Sequence, residues 1–254
     1  MSVEFEIRDH IAIITLNRPQ ARNAINNVMA TGVEAALDRY EADPDLWVAV
    51  LRGEGPVFCA GADLKEISAG NGASLSTERG GFGGIVKRER TKPVIAAVHG
   101  SAVAGGCEIC LSCDLIVAAE GTNFGLPEVK RSLVAGAGGL FRLPRAVGMA
   151  PAMEMILTGD PIQAERAYQL GLVSRVAPVD GLLDAALELA GRIAANAPLA
   201  VQESRNVAAT ALSDSDDNLW LESRAALARL SKTEDYAEGP RAFVEKRAPV
   251  WKGR

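Results

Sequence analysis

The chain has 254 residues and is 48% hydrophobic, enough apolar material for one large core or a main domain with an appendage, which excludes a disordered segment. Lys and Arg number 27 against 32 Asp and Glu, a formal charge of -5, so the overall balance gives no electrostatic case for binding nucleic acid. No run of about 18 uninterrupted apolar residues marks a membrane span.

The opening MSVEFEIRDH carries acidic residues where a secretory leader would be basic, and a cytoplasmic location is expected. IAIITL (11–16), VAVLRG (48–53), VIAAVHG (94–100) and LIVAA (115–119) read as short strands bounded by glycine, proline or polar residues. Between the first two, Val28, Val33, Ala36, Leu37 and Tyr40 recur at roughly helical spacing before Pro44 ends the run. The stretch SAGNGASLSTERGGFGG (68–84) predicts a mobile loop. From about residue 181 the pattern is helical, and no further strand is expected. The fold class is therefore α/β followed by helices.

Cys107, Cys110 and Cys113 have C-x2-C-x2-C spacing, but they fall in a predicted helix, so they and Cys59 read as reduced, half-buried packing residues and no metal site is assigned. His10 and His99 form no cluster or triad, the first placed in a turn between strands and the second at a strand end. GAGGLF (136–141) and GFGGIV (81–86) lack the last glycine of a dinucleotide fingerprint, no Walker lysine is present, and HGSAVAG is not a nucleophile elbow.

One residue breaks its surroundings. In SAVAGGCEIC (101–110) Glu108 enters a predicted apolar helix just behind Gly105 and Gly106, and a carboxylate withdrawn from water must find partners, shift its pKa or serve chemistry. The first turn of that helix has free N–H groups and a dipole that favours negative charge. Glu128 also stands at the edge of an element, behind Pro127, which suits a first helical turn.

FCAGADLKEI (58–67), VHGSAVAGGCEICLSCDLIVAA (98–119), FGLPEVKRSLVAGAGGLFRLPRAVG (124–148), MEMILTGDPIQAERAYQLGLVSRV (153–176) and EGPRAFVEKRAPVW (238–251) together resemble the crotonase, or enoyl-CoA hydratase, superfamily in order and spacing across nearly the whole chain. The resemblance implies a spiral of β-β-α units over residues 1–195 and a helical C-terminal oligomerisation region over 196–254, assembling a homotrimer or a hexamer of two trimers. It implies an oxyanion hole from the N–H groups of Ala62 and Gly105, Glu108 as the base that activates water, Glu128 as the acid that protonates the α-carbon, and Gly136 as a water-positioning backbone. It places coenzyme A against Arg22, Ala24, Ala60, Asp63, Leu64 and Lys65, with Lys246 of a neighbouring subunit reaching a phosphate. No cofactor is expected, because coenzyme A is part of the acyl thioester substrate.

The expected activity is reversible hydration of a trans-2-enoyl-CoA in fatty acid or related acyl-CoA metabolism. Leu126 and Ala135 depart from the glutamine and proline common in mitochondrial-type hydratases, which leaves acyl preference open. Carnitinyl-CoA dehydration, double-bond isomerisation and non-catalytic acyl-CoA binding stand as alternatives.

Overall fold

The computed structural model describes residues 1–254. β1 (Val3–Arg8) and β2 (Ile11–Leu16) form a hairpin, and α1 (Asn27–Ala42) follows. Asn26 caps α1 by accepting the Met29 N–H, which satisfies one of the orphan donors of the first turn. Met29, Ala30, Val33, Ala36, Leu37 and Tyr40 face the core, whereas Val28, expected among them, is 58% exposed. At about 3.6 residues per turn, position 28 falls off the stripe that joins 29, 33, 36, 37 and 40.

The chain continues through β3 (Val48–Gly53), α2 (Leu64–Ser68), the two-residue strands β4 (Ser76–Thr77) and β5 (Gly81–Phe82), β6 (Val94–Val98), β7 (Ser101–Val103), α3 (Gly105–Ser112), β8 (Leu115–Ala119) and β9 (Asn123–Gly125). A 3-10 turn at Pro127–Arg131 leads to α4 (Gly139–Val147), α5 (Met149–Thr158), β10 (Ile162–Gln163), α6 (Ala164–Gln169) and β11 (Arg175–Ala177). The main sheet has the order β1-β2-β3-β6-β8-β11, antiparallel only between β1 and β2.

Its central strands are buried on both faces, as parallel strands covered by helices must be. Val48, Val50, Ile95, Ala97, Val117 and Ala119 meet Leu182, Ala186 and Ala190 of α7 (Leu182–Ala194) on one side. The alternate residues Ala49, Leu51, Val94, Ala96, Val98, Ile116 and Ala118 join the larger core on the other. Ser101–Gly125 adds a second layer: β7 runs parallel to β9, β9 pairs with β10, and single bridges extend the layer at Cys59–Ala102 and Ile25–Ala62. Each turn of chain thus contributes a strand to the main sheet, a short extended segment to the second layer and a helix. This is the spiral of β-β-α units.

Residues 68–84 differ from the expected mobile loop. A 3-10 turn at Gly72–Leu75 buries Leu75, and the β4–β5 hairpin is tied to α1 by Glu34, which accepts the Thr77 hydroxyl at 2.5 Å and the Gly80 N–H at 2.9 Å. A Cβ at Gly84 would lie 2.2 Å from the Ala30 carbonyl oxygen, so the glycines here serve close packing on α1 rather than freedom.

The C-terminal part is helical, with α8 (Pro198–Ala209), α9 (Asp216–Leu230) and α10 (Glu234–Glu245) after α7. It is fastened to the core at two points. Arg205 of α8 bridges to Asp114 at 2.8 Å, and the Trp251 indole donates to the Ala195 carbonyl at 2.8 Å. Glu238, buried on α10, accepts from Arg241, Arg247 and the Val250 N–H, and the two guanidinium groups hold its carboxyl far below the usual range. No helix is long and apolar enough to cross a membrane.

Candidate active site

Two backbone N–H groups come together where the second layer meets α3. Ala62 follows Gly61, whose carbonyl accepts from Ile25, and Gly105 opens α3; neither the Ala62 nor the Gly105 N–H donates to any group of the chain. A Cβ built on Gly61, at φ +93°, would sit 2.9 Å from the Gly105 nitrogen, so the two segments touch through a missing side chain. Ala104, just before α3, has φ 51° and ψ -130°, a strained backbone for a residue with a Cβ, and it turns the first amides of the helix out of the strand direction. Gly105 and Gly106 are also packing glycines: a Cβ on the first would meet the Phe82 ring at 2.3 Å and on the second the Cys59 carbonyl oxygen at 2.2 Å. Tight packing and a pair of N–H groups without acceptors in the chain are here the same feature.

Glu108 stands in the first turn of α3 and is only 3% exposed. Its Oε1 accepts the Gly139 N–H at 2.9 Å, and the Ala137 amide faces it as well. Burial pushes its pKa up, while these amides and the Arg142 guanidinium favour the ionised form. Glu128, in the 3-10 turn behind Pro127, is likewise buried, and its Oε2 receives no hydrogen bond from the chain. Burial, with the nearby Glu108 carboxylate adding to it, pushes the Glu128 carboxyl up to about 7 against the opposing pull of its own backbone amide and Arg131. The two buried carboxyl groups thus feel each other, Glu108 supported by the Ala137 and Gly139 amides of another segment and Glu128 only by its own amide. That asymmetry lets one group hold a proton near neutral pH while the other accepts one.

The Gly136 N–H donates to the Val134 carbonyl at 2.8 Å, and a Cβ there would meet nothing nearer than that oxygen at 3.9 Å. Packing within the chain does not require glycine at this position. Leu126 and Ala135 are buried beside Gly139, with a Leu126 methyl and the Ala135 Cβ 2.9 and 3.0 Å from where a Gly139 Cβ would be.

The loop at 18–25 and the segment at 60–65 are laced together. The Ala60 N–H donates to the Arg22 carbonyl at 3.0 Å and the Asp63 N–H to the Ile25 carbonyl at 2.9 Å. Ala24 and Ala60 are half-buried, while Arg22, Leu64 and Lys65 are exposed at this seam. Asp63 is placed differently from a free ligand contact: its carboxylate caps α2 through the Lys65 N–H at 3.0 Å and pairs with Arg18 at 2.7 Å. Those partners hold its carboxyl below the usual range. Lys246 ends α10 in the left-handed conformation, exposed, and forms no hydrogen bond or ion pair with the seam.

Four residues that organise this site escaped the sequence reading. Gly139 and Arg142 act on Glu108, Arg18 fixes Asp63, and Glu34 fixes the hairpin that carries Phe82 to Gly105. The only signal in the sequence was the glycine density of AGAGG, which did not say which amide turns inward. His10 stacks on Trp47 at 3.6 Å and His99 bonds the Gly55 carbonyl at 2.7 Å, both in structural roles. Burial pushes the Cys59 and Cys113 thiols up to about 12, which makes them inert packing groups.

Comparison with known proteins gives a consistent picture. Residues 6–254 match the family described as enoyl-CoA hydratase/isomerase. The chain is 40% identical over 255 residues to the (E)-benzylidenesuccinyl-CoA hydratase of Thauera aromatica, covering 100% of both chains. It is 40% identical over 256 residues to the enoyl-CoA hydratase EchA19 of Mycobacterium tuberculosis, covering 98% of this chain and 96% of that one. Among solved structures, an enoyl-CoA hydratase from Mycobacterium tuberculosis H37Rv superposes with a TM-score of 0.95 at 47% identity, over 100% of this chain and 99% of the other.

Proposed function

The chain belongs to the enoyl-CoA hydratase/isomerase family and is an enoyl-CoA hydratase, a hydro-lyase, and we propose that it adds water to a trans-2-enoyl-CoA between Glu108 and Glu128. The observation that carries the assignment of roles is the contrast between the two carboxyls. Glu128 is buried, has an oxygen without a donor from the chain, and sits at about 7, whereas Glu108 faces amide donors and a guanidinium.

In this reading the thioester carbonyl oxygen lies against the N–H groups of Ala62 and Gly105. Negative charge grows on that oxygen as water attacks carbon 3, and two fixed donors stabilise it at the moment it forms; one such donor is worth about 3 kcal/mol. Glu108 takes a proton from the attacking water, and Glu128 delivers one to carbon 2, so that one water is added and the pair ends with its proton on the other carboxyl. Dehydration runs the same steps backward. For Gly136 the proposal is narrower than the resemblance implies: with its N–H already donating to Val134, it provides clearance for water rather than a second donor.

Coenzyme A is assigned to the seam between the two laced loops, with Arg22, Ala24, Ala60, Asp63, Leu64 and Lys65 along it and Lys246 reaching it from another copy of the chain. Asp63 contributes there through the shape it gives α2, since its carboxylate is already paired. The exposed Trp220, Leu221, Phe243 and Val244 on α9 and α10 support a trimer or hexamer built through residues 196–254, and a cytoplasmic enzyme with no separate cofactor completes the reading.

The test is loss of the crotonyl-CoA enone absorbance on addition of purified protein, with the product mass raised by one water. E108Q and E128Q are each expected to lose at least about 100-fold in kcat. An E128Q enzyme at full rate overturns the acid assignment, and a product of unchanged mass overturns hydration. Sedimentation of the enzyme as a monomer overturns the assembly.

A further inference from the structure

Arg142 lies half-buried on α4 with its fork aimed back at its own N-terminal turn. Nη1 donates to the Ala137 carbonyl at 3.3 Å and Nη2 to the Val86 carbonyl at 2.6 Å, a group 56 positions away in sequence. The peptide that begins with the Ala137 carbonyl stands between two others, and the N–H groups of those two, on Ala137 and Gly139, face Glu108. Gly138 makes room for this arrangement: it has φ +110°, and a Cβ there would lie 2.2 Å from Nη1. An arginine, a glycine without alternatives and a distant carbonyl are thus committed to the conformation of one short turn.

We propose that Arg142 is a positioning residue for the hydration reaction, clamping the 137–139 turn against Val86 so that the flanking amides stay aimed at Glu108. The inference rests on the reading of Glu108 as the base. A planar five-donor guanidinium suits the task because it bonds two carbonyls in different directions at once, which an ammonium on a flexible stem does less rigidly. Its fixed charge also favours the ionised carboxylate. The charged surroundings agree with this: Glu108 faces Arg142 and the Glu128 carboxyl, Glu128 in turn faces Arg131, and Arg142 faces Arg90, Arg145, Glu108 and the Cys113 thiol. Arg142 touches no reacting atom in this scheme and acts wholly through the turn.

The experiment follows crotonyl-CoA hydration across pH in R142M, R142K and E108Q. R142M is expected to lower kcat roughly 10- to 100-fold near pH 6 with KM changed less than about twofold, as small misplacements of a catalytic group do. Its acidic limb should move to higher pH, because Glu108 then ionises less readily. R142K retains the charge without the fork and is expected to restore the limb but only part of kcat. A wild-type kcat and limb in R142M, or an equal loss at every pH with the limb unmoved, overturns the inference. Where circular dichroism shows R142M unfolded, R142K decides, since a full wild-type kcat in that variant removes any need for the fork. E108Q separates the two levels of argument. An active E108Q sinks the base assignment itself, whereas an inactive E108Q beside a normal R142M sinks the clamp alone.

Discussion

Gly61 and Gly105 belong to different turns of the spiral, yet the space of a single methyl group separates them: a Cβ on Gly61 would reach within 2.9 Å of the Gly105 nitrogen and 3.0 Å of the Ala104 Cβ. The free N–H of Gly105 therefore depends on a residue with no side chain on a neighbouring strand segment. Gly61 also holds φ +93°, where a side chain is strained by about 1–2 kcal/mol. G61A is expected to fold with a lowered thermal midpoint and to lose about 100-fold in kcat, since displacing one oxyanion donor has that effect. Steady-state kinetics beside a melting curve check it, and an unimpaired kcat contradicts the assignment of Gly105.

The Glu128 carboxyl, raised to about 7 chiefly by burial, sets a sign for the pH dependence. Hydration needs Glu128 protonated, so kcat is expected to fall as pH rises through about 7, while the acidic limb reports Glu108, which must be ionised. Dehydration begins with Glu128 ionised and the proton on Glu108, the same single proton for the pair, so it is expected to fall over the same interval. Because the two carboxyls interact, the profile reports the pair. Hydration that stays level as pH rises through about 7, or alkaline limbs that move in opposite directions for the two reactions, would contradict a single proton shared between the two acids.

The same shift has a consequence for stability. A carboxyl whose folded pKa lies above its unfolded value binds more protons in the folded state, so stability declines as pH rises from the ordinary carboxylate range toward about 7 and then levels off. E128Q removes this decline. Urea unfolding midpoints of wild type and E128Q should therefore diverge in favour of the variant between pH 5 and roughly 7, and parallel midpoints contradict the burial.

Gly139 permits Glu108 to approach its amide. A Cβ at this position would lie 3.1 Å from Oε1 of Glu108 and 2.9 Å from a Leu126 methyl, closer than a packed side chain tolerates. G139A is expected to push the carboxylate off its amide donors and lower kcat about tenfold or more, with KM for the thioester little changed. A raised KM with normal kcat would move Gly139 to substrate binding.

Arg18 and Asp63 form a mostly buried pair at 2.7 Å, and Arg18 also donates to the Ala24 carbonyl at 3.0 Å. Removing the cation leaves the Asp63 carboxylate with one donor and frees the seam assigned to coenzyme A. R18A is expected to cost about 1–3 kcal/mol of stability, given the partial exposure of the arginine, and to raise KM more than it lowers kcat. Chemical denaturation and kinetics on one sample measure both, and a selective loss of kcat contradicts the placement.

Much of this architecture was legible from residue order. IAIITL, VAVLRG, VIAAVHG and LIVAA form the strands expected of apolar runs bounded by breakers, because strands buried on both faces carry little polar sequence. Glu108 stood out as a carboxylate in an apolar helix and proved to be buried with donors. The reading of residues 68–84 as mobile missed Glu34, which accepts the hairpin's Thr77 hydroxyl across 43 positions and leaves no trace in local composition. Arg142 and Arg18 looked like any surface cations, since nothing nearby in sequence reveals which carbonyls they reach.

By itself the sequence determined that four apolar runs become strands, that the chain after about residue 181 is helical, and that two acids stand at first turns beside apolar neighbours, because propensity, periodicity and capping act over a few residues. Only the tertiary structure decided that those acids are both buried, that one raises the pKa of the other, and that they meet different donors. Ionisation depends on water being excluded and on which distant amides and guanidinium groups face each oxygen, and both conditions exist only after remote turns of the spiral have packed together.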